Sequence, residues 1–245
     1  MSSPLKRVVA SPILARVVPF VVFVALTFCQ GRMGEASRYW FYFAKTIVGA
    51  WLLWQVRPSV PEMEWRFSWE AVAAGVTVFV LWVGLEGFYP SVDQLIQRFC
   101  CPLLKAVGLD SWCGVSTEVR PWNPRLAFGE HAFLAWMFVL VRILGSSIVV
   151  PPLEEVFYRS FLYRYIATPD FQSTPLGRFG VAPFLVTGLV FGLSHREWLP
   201  GILCGFAYQG LVCWRKRLGD AMTAHAVTNF LLGLWVVWRG AWQFW

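Results

Sequence analysis

The sequence predicts an all-α protein, a polytopic membrane helical bundle of seven to eight transmembrane helices, and three observations carry that expectation. The chain is 57% hydrophobic and only 14% charged, with a mean hydropathy of +0.54, well outside the balance of a soluble domain. Apolar runs near the roughly 20 residues needed to cross a bilayer recur along the chain between short polar breaks. Its 15 tryptophans suit a protein with two bilayer interfaces, where a ring can be half wet. The net charge of +7 is scattered over short connections such as Arg215-Lys216-Arg217. That pattern fits topology and lipid headgroups, and no nucleic-acid partner is expected.

Taken in order, the first span is predicted over Ile13 to Cys29, preceded by Lys6 and Arg7 and read as uncleaved. A polar break at Gln30 to Arg38 leads to the second, Tyr39 to Val56. The wet segment Arg57 to Ser68 then leads to the third, Trp69 to Phe88, and these three form scaffold. Tyr89 to Arg125 reads as a loop carrying one short amphipathic helix near Val92 to Val107. The fourth span, Leu126 to Val150, contains Glu130, His131 and Arg142 and runs almost directly into Pro151-Pro152, which predicts a kinked or broken helix there. After a polar loop, Ala167 to Gly180, come Val181 to His195, Leu199 to Trp214 and Leu218 to Trp238. Residues 1–245 read as a single membrane domain, with scaffold helices and loop over 1–125 and the chemistry over 126–245. Orientation stays open: if eight helices alternate, the basic N-terminus and the Arg215 cluster fall on opposite sides.

The organising stretch is Pro151 to Ile166, PPLEEVFYRSFLYRYI. Glu155 and Arg159, four apart, share a helix face and can neutralise one another, which leaves Glu154, about 100° away, as a spare carboxylate. Phe191-Gly-Leu-Ser-His195 ends one span with an imidazole. His225-Ala-Val-Thr-Asn229 places a second imidazole and an amide on one face of the last. Polar side chains inside spans face the bundle interior, so three helices can aim Glu154, His195, His225 and Asn229 at one cavity. The chemistry is hydrolytic: a carboxylate to take a proton from water, an imidazole to orient that water or protonate a leaving amine, and His225 with Asn229 to hold an oxyanion.

These residues also carry a resemblance. EEVFYR, FGLSH and HAVTN match, in order, the EExxxR, FxxxH and HxxxN motifs of the CPBP superfamily of intramembrane endopeptidases, which includes the type II CAAX prenyl endopeptidases; the likeness runs from about Arg142 to the end. It implies an eight-helix membrane protein cleaving near a lipidated or membrane-embedded C-terminus of a protein substrate. It also implies that Glu154 and His195 activate water, that Glu155 and Arg159 form a structural pair, and that His225 and Asn229 make the oxyanion site. WVGLEGFYP and AWQFW are similar to the bacterial CAAX protease-related branch associated with exosortase systems, which implies a multi-pass protein of the bacterial inner membrane.

Other polar residues read as structural. Glu130 and His131 sit where snorkelling to the interface is easy, Glu86 is interfacial, and Arg142 snorkels or pairs with an acid. The six cysteines have no CxxC or zinc-finger spacing; Cys29, Cys204 and Cys213 lie in apolar runs, leaving Cys100, Cys101 and Cys113 for an oxidising side. Glu154, His195 and His225 match the three-ligand pattern of a catalytic zinc, but there is no HExxH helix, and metal-free catalysis is favoured. The rival functions are a catalytically silent scaffold or immunity-type peptide-binding protein, and a transporter or proton relay, for which no internal repeat is found.

Overall fold

The computed structural model describes residues 4–109 and 121–245. Within them the regular structure is helical, and the one ladder contact is the isolated bridge between Arg32 and Gly34. Short α1 (Pro4–Ala10) is followed by α2 (Pro12–Phe28), α3 (Ser37–Val56) and α4 (Trp69–Gly84). Their starts follow from local chemistry: Ser11 and Ser68 accept the backbone N–H of Leu14 and Ala71 through their hydroxyls, satisfying donors that a helix start leaves free. A capping box between Ser91 and Gln94 opens α5, helical over 92–106. This is the short helix expected inside the long loop; the part of that loop over 110–120, with Cys113, lies outside the described residues.

Asn123 caps the short α6 (Pro124–Phe128), and α7 (Phe133–Ala167) then runs for 35 residues. The separate fourth span and acidic helix expected from sequence are thus one helix, beginning seven residues later than predicted. Its continuity across two prolines has a physical reason. The segments Gly145–Val149 and Val156–Leu162 are wound as π-helix, and Val150 donates to the Gly145 carbonyl five residues back. The next bond in that register would come from Pro151, which has no N–H. The Ser146 carbonyl is instead met by the side-chain amide of Asn229 at 2.8 Å.

The last third comprises α8 (Val181–Leu193), α9 (Trp198–Arg215) and α10 (Leu218–Arg239). Among the described residues, α7 and α10 are long and apolar enough to cross a membrane, while α2, α4 and α8 are apolar but shorter. Helix α7 packs against α2, α3, α8 and α10, so the acidic motif lies at the centre of the molecule.

Two close approaches set the frame around it. Helices α8 and α9 meet through Gly188-xxx-Gly192 and Gly201-xxx-Gly205, the small-residue spacing that lets backbones touch. A Cβ at Gly192 would lie 2.4 Å from the backbone nitrogen of Ile202. Gly192→Ala is therefore expected to destabilise the protein by about 1–3 kcal/mol and, because His195 follows one turn later, to lower activity as well. A thermal melt with wild-type stability would contradict this packing.

A buried ionic cluster ties the N-terminal helices to α7. Arg16, only 3% exposed, donates to Glu62 (2.7 and 2.9 Å) and to the Ser160 hydroxyl (3.0 Å), and Ser160 donates to Glu62. Burial acts to raise the Glu62 carboxyl, but the Ser160 hydrogen bond and the Arg16 charge outweigh it and hold the group below its ordinary value. A carboxyl depressed in the folded state contributes stability that is full above its unfolded value, about 4.5, and is lost as pH falls through its folded one. Melting temperature should drop on acidification below about pH 4.5, and less steeply in Glu62→Gln; parallel curves would refute the role of this cluster.

Candidate active site

The four residues singled out as catalytic line one cavity of about 220 Å³, bounded by α2, α3, α4, α7, α8, α9, α10 and the aromatic residues Phe244 and Trp245. Arg142, Ser146, Val150 and Glu154 line it from α7 at intervals of four. In an undistorted α-helix the first and last of these would be rotated apart by about 120°. The wider π turn between them keeps them on one side. Such insertions are frequent at functional sites.

Glu154 is the spare carboxylate at the cavity wall: its Oε2 is buried and, among the described residues, has no hydrogen-bond partner, and it stands 4.0 Å from Nε2 of His195. His195 lies two residues beyond the end of α8, where Nδ1 donates to the Phe191 carbonyl at 2.7 Å, one of the carbonyls a helix end leaves free. Trp82 packs edge-on to its ring. With Nδ1 committed to the backbone, Nε2 faces Glu154.

His225, on α10, is almost wholly buried and stacks on Tyr208 with ring centroids 5.3 Å apart. Its Nδ1 donates to Oε1 of Glu155 at 2.9 Å. Glu155 also meets Arg159, with Nε 3.2 Å from Oε2, close enough to neutralise charge though not aligned as a hydrogen bond. Both side chains are fully buried. The expected ion pair is present, but Glu155 does more than balance Arg159: it also fixes the ring of His225. Asn229, one turn further on, spends one N–H of its amide on Ser146, and the amide group borders the cavity.

Both imidazoles thus hold Nδ1 against protein oxygen and keep Nε2 for the cavity, a donor set whose chemistry suits zinc. Among the described residues, however, no three His, Cys, Asp or Glu side chains lie close enough to share an ion.

The other polar residues fall elsewhere. Glu130 pairs with Arg125 at the surface, His131 is exposed, and Glu86 accepts from Gln243. Among the described residues Arg142 meets no acid; it lies between the rings of Tyr42, Trp122 and Trp245. Sequence reasoning passed over Lys45, on α3, which also lines the cavity. A lysine in the middle of an apolar run was the available signal.

Residues 135–231 match the family model described as Rce1-like, type II CAAX prenyl endopeptidase Rce1-like. This stretch belongs to the Rce1-like family. The match takes in α8, α9 and most of α7 and α10, and hence Glu154, Glu155, Arg159, His195, His225 and Asn229. The match over these residues supports a relationship of this part of the chain to the CPBP superfamily. No curated protein and no solved structure matches the chain. The Rce1-like segment supplies all four proposed catalytic side chains, whereas the cavity wall formed by Phe23, Tyr42, Lys45 and Trp82 lies outside it.

Proposed function

We propose that the protein is an intramembrane endopeptidase that hydrolyses a peptide bond of a membrane-associated or lipid-anchored protein by means of a Glu154-activated water. The observation that carries this reading is the unpartnered Glu154 oxygen facing His195 across 4.0 Å in the cavity that His225 and Asn229 also border. That spacing is too long for a direct hydrogen bond and suits a water held by both groups. Glu154 takes a proton from the water while its oxygen attacks the scissile carbonyl carbon. The resulting oxyanion is held by the remaining N–H of Asn229 and by His225, whose ring Glu155 fixes in place. Collapse breaks the C–N bond, and the proton passes from Glu154, directly or by way of His195, to the leaving amine.

In this reading α2, α3, α4, α7, α8, α9 and α10 are the seven spans, in a bacterial inner membrane, and no metal takes part. The family relationship supports peptidase chemistry over a silent scaffold or a transporter. The test is an assay of the purified full-length protein on quenched C-terminal peptides with and without chelator, together with metal analysis. Cleavage indifferent to chelator is expected. Stoichiometric zinc, lost together with activity in His225→Ala, would replace this mechanism by metal-activated water, and absence of cleavage across a lipidated and unlipidated peptide panel would favour the peptide-binding scaffold.

Asn229→Ala provides a second check. Loss of one oxyanion donor costs about 10²–10³ in kcat, and the Ser146 carbonyl also loses its donor, so a stability loss of about 1–3 kcal/mol should accompany it. Wild-type turnover in this variant would remove Asn229 from the mechanism.

A further inference from the structure

Two cations border the cavity that holds Glu154, and among the described residues neither has an acid within ion-pair distance. Lys45 is 6% exposed. Its ammonium donates to the Thr27 hydroxyl at 2.9 Å and lies over the rings of Phe23 and Tyr42, at 4.4 and 4.8 Å from their centroids. That uses one of its three N–H groups. Arg142 sits over the same Tyr42 ring at 4.6 Å, with Trp122 at 4.7 Å and Trp245 at 5.5 Å. Aromatic faces hold a guanidinium flat and leave its N–H edge available. Both cations are therefore bracketed on Tyr42 and open to one cavity.

The charge of Glu154 reaches Lys45 across the cavity but makes no direct ion pair with it; a cation inside a membrane bundle without a direct ion-pair partner is costly, and such residues mark ligand sites by default. The cavity wants an anion at this end. Lys45 and Arg142 each stand more than two turns inside their helices, deeper than the headgroups that flank spanning segments, which disfavours a lipid phosphate. Arg142 lies about three turns along α7 from Glu154, the proposed water activator, and Lys45 faces the same cavity from α3. An anion bound here belongs to the molecule whose peptide bond lies at Glu154.

We infer that Lys45 and Arg142 form a carboxylate-recognition pair that binds the free C-terminal α-carboxylate of the peptide substrate, downstream of the bond presented to Glu154. The inference rests on the endopeptidase reading for the identity of the ligand, but the site makes a prediction of its own. A planar guanidinium matches a carboxylate with two parallel N–H···O bonds, and the ammonium adds a charge-assisted third. Both are specificity residues and touch no reacting atom.

The test uses the full-length protein in nanodiscs of zwitterionic lipid and two quenched peptides that differ only in ending as a carboxylate or a carboxamide. Wild type should prefer the carboxylate in kcat/KM by about ten- to a hundred-fold, the range for hydrogen bonds to a charged group. In Lys45→Gln and Arg142→Gln that preference should fall to within about three-fold, through KM. Arg142→Lys, which keeps the charge, should retain part of it, and thermal melts identify any variant that has simply lost its fold. Equal cleavage of both peptides by the wild type, or full preference in the Gln variants, overturns the proposal. If neither peptide is cleaved, their binding is compared by thermophoresis. Carboxylate-selective binding lost in the Gln variants upholds the pair while the endopeptidase reading fails; equal binding of both peptides overturns the pair. Should the Gln substitutions leave peptide selectivity intact but abolish stabilisation by phosphatidylglycerol nanodiscs, the occupant is a lipid phosphate and the proposal falls.

Discussion

Glu154→Gln should lower kcat by about 10²–10⁴-fold, the usual range for a lost general base, while melting temperature and KM stay at wild-type values. The amide has the same shape as the carboxylate but cannot take a proton from water. Its environment makes the separation clean: Glu154 Oε2 has no protein partner to lose, and the side chain lies at the cavity wall instead of in the core. The readout is steady-state cleavage by purified variants beside their thermal melts. An active Glu154→Gln enzyme would sink the mechanism, whatever became of the rest of the site.

Glu155→Gln is expected to do the opposite, with stability as the first casualty. Removing its charge strands Arg159 where neither side chain has any exposure, and an uncompensated buried charge costs about 3–5 kcal/mol. The same change weakens the 2.9 Å bond that fixes His225. The two consequences separate in the double variant Glu155→Gln/Arg159→Met, which removes the stranded charge along with its partner. Stability should recover there, while kcat stays depressed because His225 is no longer held by a carboxylate. Recovery of both would make Glu155 a packing residue and nothing more.

Much of this arrangement was legible in the sequence because periodicity and charge carry it. The four-residue step from Glu155 to Arg159 and the one-turn step from His225 to Asn229 follow from helix geometry alone, whereas the starts of α7, α8, α9 and α10 have no side-chain cap to mark them. What the sequence hid was cross-helix: that Glu155 meets His225 seventy residues away, and that Asn229 is partly engaged by a backbone carbonyl. No local pattern encodes either bond. The two prolines were read as a break because they remove donors; the π winding and an amide from α10 accommodate that loss, and neither shows in a hydropathy trace. Lys45 was missed for another reason: one charged residue in an apolar run is legible, but not which cavity it enters.

The bond from Asn229 to the Ser146 carbonyl has a consequence for how the protein is made. During synthesis α7 leaves the ribosome long before α10, and in hydrocarbon an unmet carbonyl is expensive. Until α10 arrives, α7 is an unfinished helix, its defect lying on the stripe that lines the cavity. Helix α7 is therefore completed by α10, so a nascent chain halted before residue 229 carries Glu154 and His195 without a finished wall to hold them. The wall that carries Glu154 is complete only once α10 has packed against α7.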